Sequence, residues 1–161
     1  MQTNEQLIAG FYEAFNRKDA ADMNSRYSSD IVFYDPVFDL LENGRARDMW
    51  QMLCAGATDL SITYDNIKDL GDGYYTCDWV ASYTFGATER KVVNKVRANM
   101  KIVDGKIAEH SDAFSLHKWA AQALGFSGWL LGWNRFYQRK IKNNARKKLM
   151  RFIEHNTAAQ Q

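Results

Sequence analysis

The stretch Lys91–Phe114 constrains the fold more than any other part of the chain. From Val92 to Ile102 the even positions are apolar, with one exception, and the odd positions between them are mostly charged. This period of two is typical of a strand with one buried face and one face in solvent. Asp104-Gly105 then supplies residues that accept the positive φ angles of a tight hairpin. The sequence therefore predicts a long β-hairpin with a return strand over Lys106–Phe114.

Three polar residues fall on the hairpin face that is predicted to be buried. Asn94 interrupts the apolar row of the first strand, and His110 and Asp112 share one face of the second. Residues i and i+2 of a strand have backbones about 6.6 Å apart, so an imidazole and a carboxylate there can interact directly or through one water. In a dry pocket the carboxylate would favour the charged imidazole, which predicts a proton-transfer pair. The alternatives are that the two side chains satisfy each other, or that Asp112 helps to cap the following helix.

Helical periodicity and turn residues divide the rest of the chain into elements. A capping box at Thr3–Gln6 opens the first helix, and proline at position 36 ends the first strand. In chain order, the predicted elements begin with that first helix, a short helix over Ala20–Tyr27, a strand over Ile31–Tyr34 and a helix over Arg45–Ala57. Strands over Leu60–Ile67 and Tyr74–Phe85, the hairpin, and a helix from Ser115 through Leu124 follow. This order predicts an α+β fold: a cone-shaped, strongly curved, mostly antiparallel sheet wrapped around N-terminal helices, with extra C-terminal helices.

The C-terminal part of the chain carries two further features. Five large apolar side chains lie within Phe126–Trp133, and we expect this segment to fold back over the cone, because it would otherwise form an exposed adhesive patch. The helix over Asn134–His155 contains eight Lys and Arg residues against one Glu, a net charge of +7, so the rest of the chain carries −5 of the total of +2. Such a bias can attract anions or nucleic acid, but a solvated helix face is the simpler interpretation.

Length and composition limit the class of protein. With 161 residues the chain is predicted to form a single domain over 1–161, with a core over about 4–115 and a C-terminal helical extension over about 116–155. Cys54 and Cys77 lie in apolar contexts without metal-ligand spacing, and His110, His117 and His155 show no shared geometry, so neither a metal nor a cofactor is expected. The start of the chain lacks a leader pattern, and no apolar run approaches the roughly 20 residues of a membrane span. A cytoplasmic protein without a membrane span is expected, and nucleic-acid binding is not.

The element order, together with Phe33-Tyr34-Asp35-Pro36 and a Gly44 that precedes a helix, resembles the SnoaL-like and nuclear transport factor 2-like superfamily. Its members include ketosteroid isomerases, polyketide cyclases and limonene epoxide hydrolases. The resemblance covers about Leu7–Phe114 and implies a cone with a deep pocket that is commonly dimeric through its sheet. Leu116–Phe152 lies beyond the shared core and resembles the tail of a bacterial branch of the superfamily.

The resemblance favours some activities over others, residue by residue. The isomerases place a general-base aspartate directly before a proline, which Asp35-Pro36 matches. Their two oxyanion donors fall at Phe11 and near Ala98, so steroid isomerisation is disfavoured, because oxyanion stabilisation is often the largest catalytic contribution. The cyclases use a late-strand aspartate as acid/base, for which Asp112 is the nearest match. The Asp–Arg–Asp arrangement of the epoxide hydrolases is disfavoured because Arg97 lies on the wrong strand face.

The leading hypothesis is a small-molecule pocket protein with acid/base activity, isomerase-, cyclase- or hydrolase-like, on an apolar oxygenated compound, cyclic ones included. Asp35 would act as the base and His110–Asp112 as the proton-shuttling pair, although Asp-Pro is also an ordinary turn element. The residues predicted to line the pocket, for most of which plain core packing is the alternative, are Phe11, Trp50, Trp79, Tyr83, Asn94, Met100 and Phe114.

Two other functions remain open from the sequence. One is a ligand-binding module of the same fold without turnover. The other is an interaction protein whose Trp/Leu segment and basic helix meet an anionic membrane or nucleic acid. The expected partners under the leading hypothesis are a small apolar or amphipathic ligand and a second copy of the chain. The resemblance implies that this second copy docks on the outward sheet face of Val80, Ser82, Val93 and Lys95.

Overall fold

The computed structural model describes residues 2–159 of the chain. In those residues, six helices surround one six-stranded sheet. The elements are α1 (Asn4–Asn16), α2 (Ala20–Ser25), β1 (Tyr27–Asp35), β2 (Asp39–Leu41), α3 (Arg45–Gly56), β3 (Ser61–Gly71), β4 (Tyr74–Phe85), β5 (Arg90–Val103), β6 (Lys106–Ala113), α4 (Leu116–Leu124), α5 (Phe126–Leu131) and α6 (Arg135–Ala159).

The strands form one curved sheet in the order β2-β1-β6-β5-β4-β3. The pair β1–β6 is parallel and the other four pairs are antiparallel. The hairpin β5–β6 turns at Asp104-Gly105, where both residues have positive φ. From Val92 to Ile102 the even positions of β5 are buried, apart from the half-buried Asn94, and most odd positions are exposed. The predicted α+β fold with a mostly antiparallel sheet and additional C-terminal helices is confirmed.

The first helix is built as its sequence predicts. Thr3 accepts from the backbone N–H of Gln6, and the Gln6 side chain accepts from the backbone N–H of Thr3, which completes the capping box. The apolar stripe of α1 packs into the main core against the sheet and α3. The stripe consists of Leu7, Ile8, Phe11, Tyr12 and Phe15, all buried.

Two boundaries near the first strand differ from the prediction. The helix predicted over Ala20–Tyr27 ends at Ser25, and the strand predicted over Ile31–Tyr34 already begins at Tyr27. The reason is a non-local contact, because Ile107 at the start of β6 donates its N–H to the carbonyl of Arg26 and draws this segment into the sheet. Tyr27 therefore belongs to a strand, and its side chain enters the core.

The C-terminal helices cover two different regions. Ser115 caps α4 as predicted, and α4 packs its apolar face on Val92 and Tyr83, forming a second core cluster. Gln122 of α4 also bonds the backbone N–H and C=O of Val93, where β6 no longer pairs with β5. The long helix α6 packs through Leu149 against the main core and contacts α3.

The expectation that Phe126–Trp133 is buried against the cone is wrong. This segment forms α5, and its large side chains are exposed. The side of α5 that faces α4 carries Gly128, and Gly132 follows directly after the helix; a Cβ on Gly128 would overlap the carbonyl oxygen of Ala120. Because the close contact is made by glycines, the apolar side chains of α5 point away from the protein.

Candidate functional site

The parallel pairing of β1 with β6 brings the three predicted catalytic residues, Asp35, His110 and Asp112, to one place. Phe33 lies opposite His110 and Tyr34 opposite Ser111, so Asp35 and Asp112 follow on neighbouring strands and on the same face. Asp35, His110 and Asp112 are all buried on the concave side of the sheet. The two carboxylates are close enough for the charge of Asp112 to affect the pKa of Asp35.

A continuous chain of hydrogen bonds runs through His110. Trp50 Nε1 donates to the Tyr27 hydroxyl at 2.9 Å, and that hydroxyl lies 2.7 Å from His110 Nδ1. On the other side of the ring, His110 Nε2 lies 3.1 Å from Asp112 Oδ1. The same carboxylate oxygen accepts from Trp79 Nε1, also at 3.1 Å.

This chain is consistent with one tautomer of the imidazole. Since the Tyr27 oxygen already accepts from Trp50, its own O–H is free to donate to His110 Nδ1. With Nδ1 as the acceptor, the ring N–H lies on Nε2 and is donated to Asp112.

Aromatic rings enclose the imidazole. The Phe11 and Phe33 rings meet it edge to face, with centroids 5.5 and 5.2 Å away. The Trp50 ring stacks nearly parallel to it, with centroids 6.2 Å apart. His110 is therefore held in one orientation by packing as well as by hydrogen bonds.

Asp35 has an unusual protonation equilibrium. Its Oδ1 accepts from the backbone N–H groups of Val37 at 2.8 Å and Phe38 at 2.5 Å. These bonds stabilise the carboxylate, but burial acts more strongly in the other direction, and the negative charge of Asp112 adds to it. Together these effects raise the pKa of Asp35 from 3.8 to about 7. A carboxyl group with that pKa can both accept and release a proton near neutral pH.

Tyr12 contributes a hydroxyl group that the sequence analysis did not single out. Its side chain is fully buried, and its Oη has no hydrogen-bond partner among residues 2–159. Burial raises the pKa of Tyr12 well above its usual value, and the charge of Asp112 raises it further, so the phenol keeps its proton. Tyr27 was also missed, because the sequence places it at the end of a helix. No sequence signal separates Tyr12 from the other aromatic residues of its stripe.

The predicted pocket residues divide into two groups. Phe11, Trp50, Trp79 and Met100 are buried around His110, and Met100 lies directly opposite it in the β5–β6 register. Tyr83, Asn94 and Phe114 are half-buried. Tyr83 and Phe114 pack in the second core cluster beneath α4, where the Tyr83 hydroxyl accepts from Trp119 Nε1 at 2.8 Å. Arg97 lies on the outward face of β5, paired with Asp78, as the sequence predicts.

The site offers no obvious place for a metal. Within residues 2–159, no three His, Cys, Asp or Glu side chains are arranged so that they could share one ion. The same part of the chain contains no helix that is long and apolar enough to cross a bilayer.

Comparison with known families agrees with this architecture. The sequence profile of the SnoaL-like domain matches residues 8–110, which is most of the chain. The chain belongs to the SnoaL-like domain family. The match ends at His110, so α4, α5 and α6 lie outside the matched residues. No curated protein sequence matches the chain.

Solved structures share the fold of this SnoaL-like protein. IdmH, a candidate polyketide cyclase from Streptomyces antibioticus, has 24% identity and a TM-score of 0.62 over 74% of this chain and 97% of its own. A candidate polyketide cyclase from Silicibacter sp. has 16% identity and a TM-score of 0.66 over 76% of this chain and 96% of its own. A Catenulispora acidiphila protein with a ketosteroid isomerase-like fold, in complex with trimethylamine, has 12% identity and a TM-score of 0.63 over 75% of this chain and 94% of its own. At these identities the likeness establishes the fold.

Proposed function

We propose that the protein is an acid/base enzyme acting on an apolar, oxygenated small molecule, cyclic compounds included. The observation that carries the proposal is the meeting of Asp35, with its pKa near 7, and the His110–Asp112 pair on one concave face. The family resemblance adds support, since some of the solved structures are named as candidate polyketide cyclases.

The proposed chemistry is proton abstraction next to a carbonyl group. Asp35 in its ionised form would take a proton from the carbon, and the negative charge that develops on the carbonyl oxygen would accept a hydrogen bond from the Tyr12 hydroxyl. The protonated Asp35 would return the proton to carbon in an isomerisation. In a cyclisation the carbanion would attack a second carbonyl of the same molecule, and the protonated Asp35 would give its proton to the new alkoxide, while the charge of Asp112 keeps the pKa of Asp35 raised.

Tyr12 also indicates the ligand's chemistry. A buried hydroxyl without a partner carries a free-energy cost that a ligand oxygen would remove. The buried surroundings of these polar groups are aromatic, with Phe11, Trp50 and Trp79 close to them. We infer a ligand with a hydrophobic body and at least one carbonyl or hydroxyl oxygen.

A hydrogen–deuterium exchange experiment tests this proposal. Cyclic ketones and cyclic 1,3-diketones are incubated with the protein in deuterated buffer, and exchange at the carbon next to the carbonyl is followed by NMR. The wild type should accelerate exchange and Asp35→Asn should abolish the acceleration. Tyr12→Phe should reduce it roughly 10²-fold, the usual cost of losing one oxyanion donor. The control is Asp78→Asn on the outward face, which should exchange like the wild type.

A ligand-binding module without turnover is the second candidate. The observation that favours it is that both ring nitrogens of His110 are already bonded within the protein, and the ring is fully buried. Ligand binding without any catalysed exchange, unaffected by Asp35→Asn, would favour the binding module over the enzyme.

Both cysteines are consistent with the reducing, cytoplasmic compartment that we propose. Cys54 and Cys77 are free and buried. Burial raises the pKa of the Cys54 thiol to about 11 and that of the Cys77 thiol to about 12. Both therefore remain protonated near neutral pH and are not assigned a nucleophilic role.

We further propose a homodimer through the outward sheet face. The β4–β5 register places Val80 beside Lys95 and Ser82 beside Val93, so these four residues form one patch. Val93→Glu should convert the dimer to a monomer, because it buries a charge at the centre of the interface. Sedimentation equilibrium at micromolar concentration measures this, with Val103→Glu as an exposed control at the end of the same strand. A wild type that sediments only as a monomer would remove the proposal.

A further inference from the structure

Unlike an ordinary surface helix, α5 contacts the protein through glycine and exposes its large apolar side chains to solvent. Its contact with α4 is made by Gly128, and the following Gly132 packs against the His117 side chain. A side chain at either position would overlap its neighbours. The outward side instead carries Trp129 and Leu130, which belong to a larger group of exposed apolar side chains.

We call the exposed apolar side chains at this end of the molecule the aromatic cluster. It comprises Phe126 (74% exposed), Trp129 (60%), Leu130, Leu131, Trp133 (68%) and Phe136 (79%). The rings of Phe126 and Trp129 lie with centroids 5.9 Å apart. Single exposed apolar residues are common on protein surfaces, but a group of six within eleven consecutive residues marks an interaction site.

Hydrogen bonds hold this segment in place. His117 Nε2 donates to the carbonyl of Trp129 at 2.9 Å, and Gln138 Nε2 donates to the carbonyl of Gly132 at 2.8 Å. The Asn134 side chain accepts from the backbone N–H of Phe136 at 2.9 Å and so starts α6. The cluster is therefore presented by ordered helices and not by a loose connector.

A basic surface continues from the aromatic cluster. Phe136, Lys140, Lys147 and Arg151 are exposed at helical spacing on the outward side of α6, opposite the buried Leu149. Among the described residues, the only acidic partner of the α6 cations is Asp39, which pairs with Lys142 and Arg146. Most of the +7 charge of this helix is thus available to a partner. An open groove beside it is lined by several of these cations, including Arg135 and Arg139.

We propose that the aromatic cluster and the outward face of α6 together dock the protein on anionic lipid bilayers. Tryptophan and phenylalanine side chains insert at the boundary between headgroups and acyl chains, while the cations contact the phosphate groups. The proposal concerns a surface and does not rest on the proposed acid/base function.

Charge and side-chain chemistry favour a bilayer over the other partners. A second copy docked through the same surface would bring two helices of charge +7 together, which is repulsive. A nucleic acid would satisfy the cations, but it would leave Leu130 and Leu131 without an apolar environment. An anionic bilayer satisfies both the cations and the aliphatic side chains.

The test is vesicle flotation with the full chain. Vesicles of phosphatidylcholine alone are compared with vesicles that also contain phosphatidylglycerol. Wild type should bind the anionic vesicles, bind neutral ones weakly, and dissociate as salt is added, because screening weakens the attraction. Tryptophan fluorescence should shift to shorter wavelength on binding, since Trp129 and Trp133 leave water.

Two double variants separate the contributions of the two halves of the surface. Trp129→Ser with Trp133→Ser should abolish the fluorescence shift and weaken binding at least about tenfold. Lys140→Gln with Lys147→Gln should weaken binding to anionic vesicles roughly tenfold or more and make it less dependent on salt. Matched controls on the sheet are Leu70→Ser, at an exposed position, and Lys68→Gln with Lys106→Gln, both exposed and outside the proposed dimer patch. All variants should keep the wild-type melting temperature.

Three results would overturn the proposal. One is a folded wild type that does not bind anionic vesicles. Another is a Trp129→Ser/Trp133→Ser variant that binds them as tightly as wild type. The third is an oligomer that this variant converts to monomers, or an oligonucleotide complex that it disrupts, while vesicles do not bind.

Discussion

Asp35→Asn should make the protein more stable at pH 8 and leave its stability nearly unchanged at pH 3. The pKa of Asp35 is raised from 3.8 in the unfolded chain to about 7 in the folded protein. Between these values the folded state holds a proton that the unfolded state has released, so stability falls as the pH rises through this window. Below pH 3.8 both states are protonated and the penalty is absent. Asparagine does not titrate, so the free energy of unfolding of the variant lacks this dependence on pH.

The pKa shift of Asp35 sets an upper bound on the stability that Asp35→Asn can gain. A change of about three pKa units corresponds to about 4 kcal/mol above pH 7. Asparagine keeps a side-chain oxygen that can accept from the Val37 and Phe38 N–H groups, so the turn is preserved. The measurement is chemical denaturation of both proteins between pH 3 and pH 9, with the difference in free energy plotted against pH.

Asp78→Asn provides a control of the opposite sign. Its carboxylate is hydrogen-bonded to Arg97, which lowers the pKa of Asp78. The stabilisation it contributes is present above the unfolded pKa and disappears as the pH falls, so the variant should lose a little stability at neutral pH only. An Asp35→Asn variant less stable than wild type at pH 8 would show that burial does not dominate at Asp35. Gain of stability with loss of catalysed exchange would mark Asp35 as a residue kept at a cost for function.

That His110 and Asp112 share a face could be predicted, because a strand has a side-chain period of two. The row of apolar even positions likewise indicates the buried face of β5. A regular two-residue hairpin at Asp104-Gly105 would nevertheless place Met100 opposite Glu109 and turn the pair outward. The register of the hairpin shifts next to Ile102, so Met100 lies opposite His110 instead. This irregularity, which no local pattern indicates, turns the pair inward.

Tyr27 and Tyr12 could not be predicted in the same way. Tyr27 becomes a strand residue because β1 pairs with β6, which is about 80 residues away in the chain, and no local pattern encodes that pairing. Tyr12 differs from Phe11 only in a hydroxyl group, and its lack of a partner depends on side chains from several elements. The exposed side of α5 has a similar origin, since it is set by the glycine contact with α4.

Asp112→Leu should cause a large loss of stability. The carboxylate oxygen accepts from both His110 Nε2 and Trp79 Nε1, and leucine has a similar size but no acceptor. Each buried donor left without a partner costs about 1–3 kcal/mol. Removing the buried charge of Asp112 offsets part of this loss of stability, because that charge also disfavours the ionised form of Asp35. We expect a net loss of about 2–5 kcal/mol, measured by urea denaturation at pH 7.

Asp112→Asn separates the hydrogen bonds from the charge. Its side-chain oxygen still accepts from His110 and Trp79, so its loss of stability should be clearly smaller than that of Asp112→Leu. Both variants remove the negative charge, so both should lower the pKa of Asp35, as followed by carboxyl carbon NMR. Equal stability losses would mean that the two donors do not depend on this oxygen. An unchanged Asp35 pKa in both variants would show that the two carboxylates do not interact, and the proposed three-residue acid/base site would then not exist.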